Sequence, residues 1–76
     1  MPTLHRFPNC KIAIYADDQN PPHFHIEGRG WRVLVAIEGL AVMAGNAGKA
    51  GAALDWAASN VTLLRAEWER LNRPRG

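Results

Sequence analysis

The segment Pro21-Pro22-His23-Phe24-His25-Ile26-Glu27 constrains the fold of this chain more than any other. Two prolines stiffen the approach, and behind them polar and apolar residues alternate strictly. A period of two is the pattern of a half-buried strand. His23, His25 and Glu27 therefore point one way, and Phe24 and Ile26 the other. Two of the 3 histidines and a carboxylate are gathered on one face of a sheet.

The neighbouring segments supply the rest of that sheet. Lys11 to Ala16 alternates weakly, with Ile12 and Ile14 on one side. Asp17 to Pro22 reads as a loop. Trp31 to Glu38 is a further strand, with Trp31, Val33, Val35 and Ile37 on one face, and Leu40 to Met43 gives a short fourth. A two-residue turn at Arg29-Gly30 sets Gly28 against Trp31, Glu27 against Arg32 and Ile26 against Val33. Directly opposed residues share a face, so Phe24 and Ile26 join Val33 and Val35 on the core side. Glu27 and Arg32 become an opposite-charge pair on the other. A loop longer by one residue mixes the faces, because a one-residue slip inverts every side chain. A second turn at Glu38-Gly39 pairs Ile37 with Leu40 and Val35 with Val42.

The second half is helical. Gly45-Asn46-Ala47-Gly48 breaks the strand pattern. From Lys49 to Leu71 no proline occurs, and Leu54, Ala57, Val61, Leu64, Trp68 and Leu71 fall at three-four spacing. Glu69 and Arg73 form an i,i+4 pair, and Pro74 ends the run. One continuous helix would be roughly 35 Å long, wider than so small a domain. Ser59-Asn60 can cap a new helix, and Val61-Thr62 are weak helix formers, so a break is expected there. An unbroken helix would instead overhang the sheet and pair with a second copy along its apolar stripe.

The reading is α+β: one domain over residues 1–76, β-rich over 1–44 and helical over 47–72. A three- to four-stranded antiparallel sheet carries one broken helix, or two short ones, on one face. The expected core is Ile12, Ile14, Phe24, Ile26, Val33, Val35, Leu54, Val61, Leu64 and Trp68. A chain of 76 residues buries only roughly 60% of its unfolded surface. Trp31, Trp56 and Trp68 are therefore needed for the core before any is spared to anchor a partner.

Charge and cysteine content narrow the function classes. The net charge is +2 and the pI about 9.2, mildly basic and short of a nucleic-acid-binding tail. Arg65, Arg70, Arg73 and Arg75 cluster near the end, where cations complement a helix dipole or contact phosphates. The single Cys10 excludes an internal disulfide and reads as a small packed residue. No run is apolar enough to span a membrane, and the N-terminus lacks an apolar signal core. A cytoplasmic protein is expected.

Met1-Pro2-Thr3 with Arg6-Phe7, the β-run ending in Tyr15-Ala16-Asp17-Asp18, and then Asn20-Pro21-Pro22-His23-Phe24-His25 resemble the domain-of-unknown-function family numbered 4160. The likeness is strongest over residues 1–28 and continues in Leu63-Leu64-Arg65-Ala66-Glu67-Trp68, while the glycines 45, 48 and 51 depart from it. The resemblance implies a small, single-domain, α+β bacterial protein of uncharacterised biochemistry. It also implies membership of a two-gene cassette of the toxin–antitoxin kind, with a cognate small protein as partner.

Three readings of the polar face are open. In the first, the histidines finish an exposed strand and His23 bonds the Asp17/Asp18 loop. In the second, His23 and His25 act on RNA as general base and general acid. Lys11 or Arg32 then stabilises the phosphate charge, and Tyr15 or a tryptophan stacks a base; no metal is needed. In the third, His23, His25 and Glu27 hold a metal such as Zn²⁺ or Fe²⁺, with Asp17 or Asp18 completing the set. His5 is assigned to none of these. A phosphate-cradling glycine loop, a dinucleotide fingerprint and a CxxC pair are all absent from the sequence. A protein-interaction module, docking its partner through the apolar stripe or the tryptophans, is the alternative to the RNA-directed readings.

Overall fold

The computed structural model describes residues 3–16, 18 and 20–72. Five strands run in sequence order as one antiparallel meander: β1 (Thr3–Arg6), β2 (Cys10–Ala13), β3 (His23–Gly28), β4 (Trp31–Ala36) and β5 (Val42–Ala44). A 3₁₀ turn at Ala47–Lys49 leads into α1 (Gly51–Ser59) and α2 (Val61–Asn72). The strand count thus exceeds the expected three to four by β1. That segment, Thr3-Leu4-His5-Arg6, has no clean alternation, because its ladder shifts register between Thr3 and His5. A tight turn joins it to β2, with the Phe7 N–H donating to the Cys10 carbonyl at 2.7 Å.

The central hairpin has the register required by the two faces. Gly28 pairs with Trp31, Glu27 with Arg32, Ile26 with Val33 and Phe24 with Val35. Gly30 takes a φ of 78°, which glycine adopts without cost. The Trp31 indole lies so close over Gly28 that a Cβ there would overlap its ring.

The β4–β5 connection differs from a two-residue Glu38-Gly39 turn. Positive φ falls at Gly39 and Leu40, and the Ala36 N–H donates to the Ala41 carbonyl at 2.9 Å. Val35 still opposes Val42. The Ile37 N–H turns instead to the Pro22 carbonyl at 3.0 Å. The last strand therefore starts at Val42 rather than Leu40. A register shift follows at once, so that Leu34 meets Ala44.

Ile12, Ile14, Phe24, Ile26, Val33, Val35, Ile37 and Leu64 are fully buried, with Trp68 nearly so. Ile12, Ile26 and Val33 lie opposite one another across three strands. Burial of each such side chain is worth about 1.5–3 kcal/mol. Leu54 and Val61 are only half-buried and pack on the rim of this cluster. The positions of α1 that enter the core are Ala53 and Ala57, one turn apart, since alanine lets a short helix lie close to the sheet. The break at Asn60 is as expected. Its N–H donates to the Ala57 carbonyl and its own carbonyl accepts from Leu64 N–H, each at 3.0 Å. Its side-chain amide also donates to the Trp56 carbonyl at 2.8 Å. One residue thus closes α1 and opens α2.

Among the described residues no helix is long and apolar enough to cross a membrane. Cys10 is a free, buried thiol, and burial pushes its pKa up, as expected of a packed residue. Met1, Pro2, Asp17, Arg73, Pro74 and Arg75, and with them the Glu69–Arg73 pair, lie outside the described residues.

Candidate functional site

The side chains of β3 that point away from Phe24 and Ile26 meet three different environments. His23 is buried at 6% exposure. Its Nδ1 lies 2.8 Å from the Pro21 carbonyl and its Nε2 2.8 Å from Asp18 Oδ2. The Trp68 ring packs on it with centroids 5.1 Å apart. His25 reaches the same carboxylate oxygen through Nε2 at 3.3 Å. Its Nδ1 is buried with no hydrogen-bond partner among the described residues. The two imidazoles stand 5.3 Å apart, and Tyr15 packs against His25 at 4.8 Å.

Asp18 is placed by the far end of the chain. Its backbone N–H donates to Asn72 Oδ1 at 2.8 Å. The Asn72 amide nitrogen donates to the carbonyls of Tyr15 and Trp68, each at 3.2 Å. The last residue of α2 thus clamps the loop that brings a carboxylate over both histidines. The expected contact between His23 and the Asp17/Asp18 loop is present at Asp18.

Glu27 belongs to a different group. Both its carboxylate oxygens accept from Tyr15 Oη, at 2.8 and 2.9 Å, and Lys11 Nζ lies 3.9 Å away. The expected Glu27–Arg32 ion pair is replaced by these contacts. The two residues are ladder partners, but the carboxylate turns toward β2. Burial, and then the Glu27 hydrogen bond and charge, push the Tyr15 phenol above its usual range, with Arg32 opposing. Among the described residues the cluster with metal-ligand geometry is Asp18, His23 and His25. Glu27 is not in it, because its oxygens are committed one row further along the strand.

That next row crosses the sheet. Arg6 opposes Lys11, Lys11 opposes Glu27, and Glu27 opposes Arg32, so all four share one face. An open depression at this end is lined by Lys11, Glu27, Gly28, Gly30, Trp31 and Arg32. Lys11 and Arg32 therefore stand together, one same-face row, roughly 7 Å, from His25. Arg6 is the cation of this row that sequence reasoning missed; only the β1 pairing shows it.

The remaining candidates are distributed elsewhere. Trp56 stacks on His5 at 4.9 Å, which makes His5 a packing residue beside the helices. Arg70 is held by Glu67 through two 2.7 Å bonds, and that contact lowers the Glu67 pKa. Arg65 remains exposed on α2.

A family model described as Domain of unknown function (DUF4160) matches residues 10–69. The chain belongs to this family. Within the DUF4160 match lie Lys11, Asp18, His23, His25, Glu27 and Arg32, whereas β1 and the clamping Asn72 fall outside it. Comparison with curated proteins and with solved structures gave no match.

Proposed function

We propose that this DUF4160 protein is an RNA-binding component of a small toxin–antitoxin-like module, acting in the cytoplasm through the sheet face that carries Arg6, Lys11 and Arg32. The observation that carries the reading is the row itself: three cations on adjacent and next-adjacent strands, beside Tyr15 and His25 and next to a depression walled by Trp31. Phosphate contacts of this kind supply affinity without reading sequence. Aromatic rings at the edge of such a row stack the unpaired bases of single strands. Binding is favoured over cleavage because His23 is buried with both ring nitrogens engaged. A general acid or base has to reach the proton it transfers, and Lys11 and Arg32 are not in the histidines' own row.

The test is fluorescence anisotropy with a labelled single-stranded RNA, repeated over a salt series. Three phosphate contacts give a log–log salt slope of about −2, since each contributes about −0.7 on a single strand. No binding at low salt, or a slope near zero, would refute the reading.

A second reading, a non-enzymatic module that docks a cognate protein, is favoured by β5. Val42 and Met43 on this three-residue edge strand are 45% and 43% exposed. An unpaired edge accepts an extended segment of a partner by strand addition. The tryptophans do not favour it: Trp68 is buried, Trp56 is stacked on His5, and Trp31 lines the depression beside the cation row, away from β5. Met43→Lys should abolish such a complex and leave RNA binding intact, read by pull-down and anisotropy on the same preparation.

A further inference from the structure

We infer that Asp18, His23 and His25 form a three-ligand site for a divalent transition-metal ion, zinc foremost. The inference stands apart from the RNA reading, since none of the three belongs to the cation row. One ligand atom from each residue lies within 4.8 Å of the others. A tetrahedral zinc with Zn–N and Zn–O bonds of about 2.0–2.2 Å spaces its ligands about 3.3–3.5 Å apart. The two imidazole-to-carboxylate separations, 2.8 and 3.3 Å, fall short of that by no more than about 0.7 Å, and the remaining pair lies within 4.8 Å, so the three side chains already converge on one point.

The hydrogen bonds fix which nitrogen is offered. The His23 Nδ1–H donates to the Pro21 carbonyl, the outer-shell bond that metal-ligating histidines commonly make. In neutral imidazole that leaves Nε2 as a bare lone pair, and it faces a carboxylate oxygen at 2.8 Å. A nitrogen lone pair and a carboxylate oxygen facing each other in this way are the donor pair that a metal cation takes.

His25 is turned to the same oxygen by packing against Tyr15 and His23 rather than by a bond at Nδ1. The His25 side chain is 15% and the Asp18 side chain 30% exposed, which gives an ion a way in. Two imidazoles and one carboxylate suit zinc or iron over calcium or magnesium. Three protein ligands leave a fourth position for water or an exogenous ligand.

The test titrates chelator-treated protein with Zn²⁺ by calorimetry and with Co²⁺ by visible absorption. Wild type, Asp18→Asn, His25→Asn and Glu27→Gln are compared, each first shown to be folded by circular dichroism. We expect one equivalent of Zn²⁺, four-coordinate Co²⁺ bands, at least a tenfold loss of affinity in Asp18→Asn and His25→Asn, and an unchanged affinity in Glu27→Gln. Asp18→Asn and His25→Asn are preferred to a His23 change because His23 packs against Trp68 and its loss could unfold the chain. Absence of a one-equivalent Zn²⁺ isotherm would overturn the assignment, as would equal affinity in wild type, Asp18→Asn and His25→Asn. A loss in Glu27→Gln would also overturn it, by returning Glu27 to the ligand set. RNA affinity measured beside these separates the two ideas: failure of the metal site leaves the salt-dependent RNA binding of wild type as it was.

Discussion

The two faces of β3 are held by different physics. Phe24 and Ile26 are fully buried, and their requirement is volume: any large apolar group at a period of two is driven to the same side. His23, His25 and Glu27 each take directional partners from separate segments: Pro21 and Asp18 for His23, Asp18 for His25, Tyr15 and Lys11 for Glu27. The apolar face follows from the strand's own letters. The polar face depends on a loop and on Asn72, 54 residues from Asp18. Volume thus governs one side of the strand and directional bonding the other.

The largest effect should come from the apolar side. Phe24→Ala leaves a cavity worth about 3–5 kcal/mol, against a total of roughly 4–11 kcal/mol expected for a domain of 76 residues. Urea denaturation should show it barely folded. A loss below about 1 kcal/mol would mean that this face does not carry the fold.

Gly45→Ala comes next. Its φ of 86° costs an L-residue about 1–2 kcal/mol, and the new Cβ would strike the Arg32 carbonyl. A combined loss of about 2 kcal/mol or more in the same denaturation experiment is expected, and none is recovered by Gly45→Ser.

Glu27→Gln probes the polar face. It removes one partly exposed charge, so stability should change by less than about 1 kcal/mol. RNA binding should tighten, because the negative charge in the cation row is gone. Weaker binding by anisotropy would contradict the role of that row.

The smallest effect is alkaline. A phenol whose pKa is raised on folding adds stability that is complete below its ordinary value of 10.0 and is lost as pH rises through the folded value. Wild type should therefore lose stability above about pH 10 more steeply than Tyr15→Phe in thermal melts at stepped pH.

Much of this was legible in the sequence because it rests on local periodicity. The alternation over His23 to Glu27 and the parity of the Arg29-Gly30 turn determine the central hairpin and nearly all of its core. Asn60 announced the helix break. β1 stayed hidden because a register shift at Leu4 spoils its alternation. Three-four spacing points to Leu54 and passes over Ala53 because it rewards large apolar residues, whereas closeness of α1 to the sheet rewards small ones.

Both site histidines were legible as a pair. The Asp17/Asp18 loop was legible as their contact, and Asp18 fills that place; what spacing misplaced was Glu27, which shares their face but turns its carboxylate to Tyr15. The Glu27–Arg32 pair failed for a related reason: the ladder opposes the two residues, but Tyr15 on the neighbouring strand end supplies a better-directed donor.

The most direct test of the two-face account is the double variant Lys11→Ala/Arg32→Ala, assayed for single-stranded RNA affinity and thermal stability on one preparation. The account predicts at least a tenfold weaker Kd and a salt slope reduced by about 1.4, with a Tm within a few degrees of wild type. An unchanged Kd and slope with the fold intact would contradict it, and would remove the polar face from the protein's function.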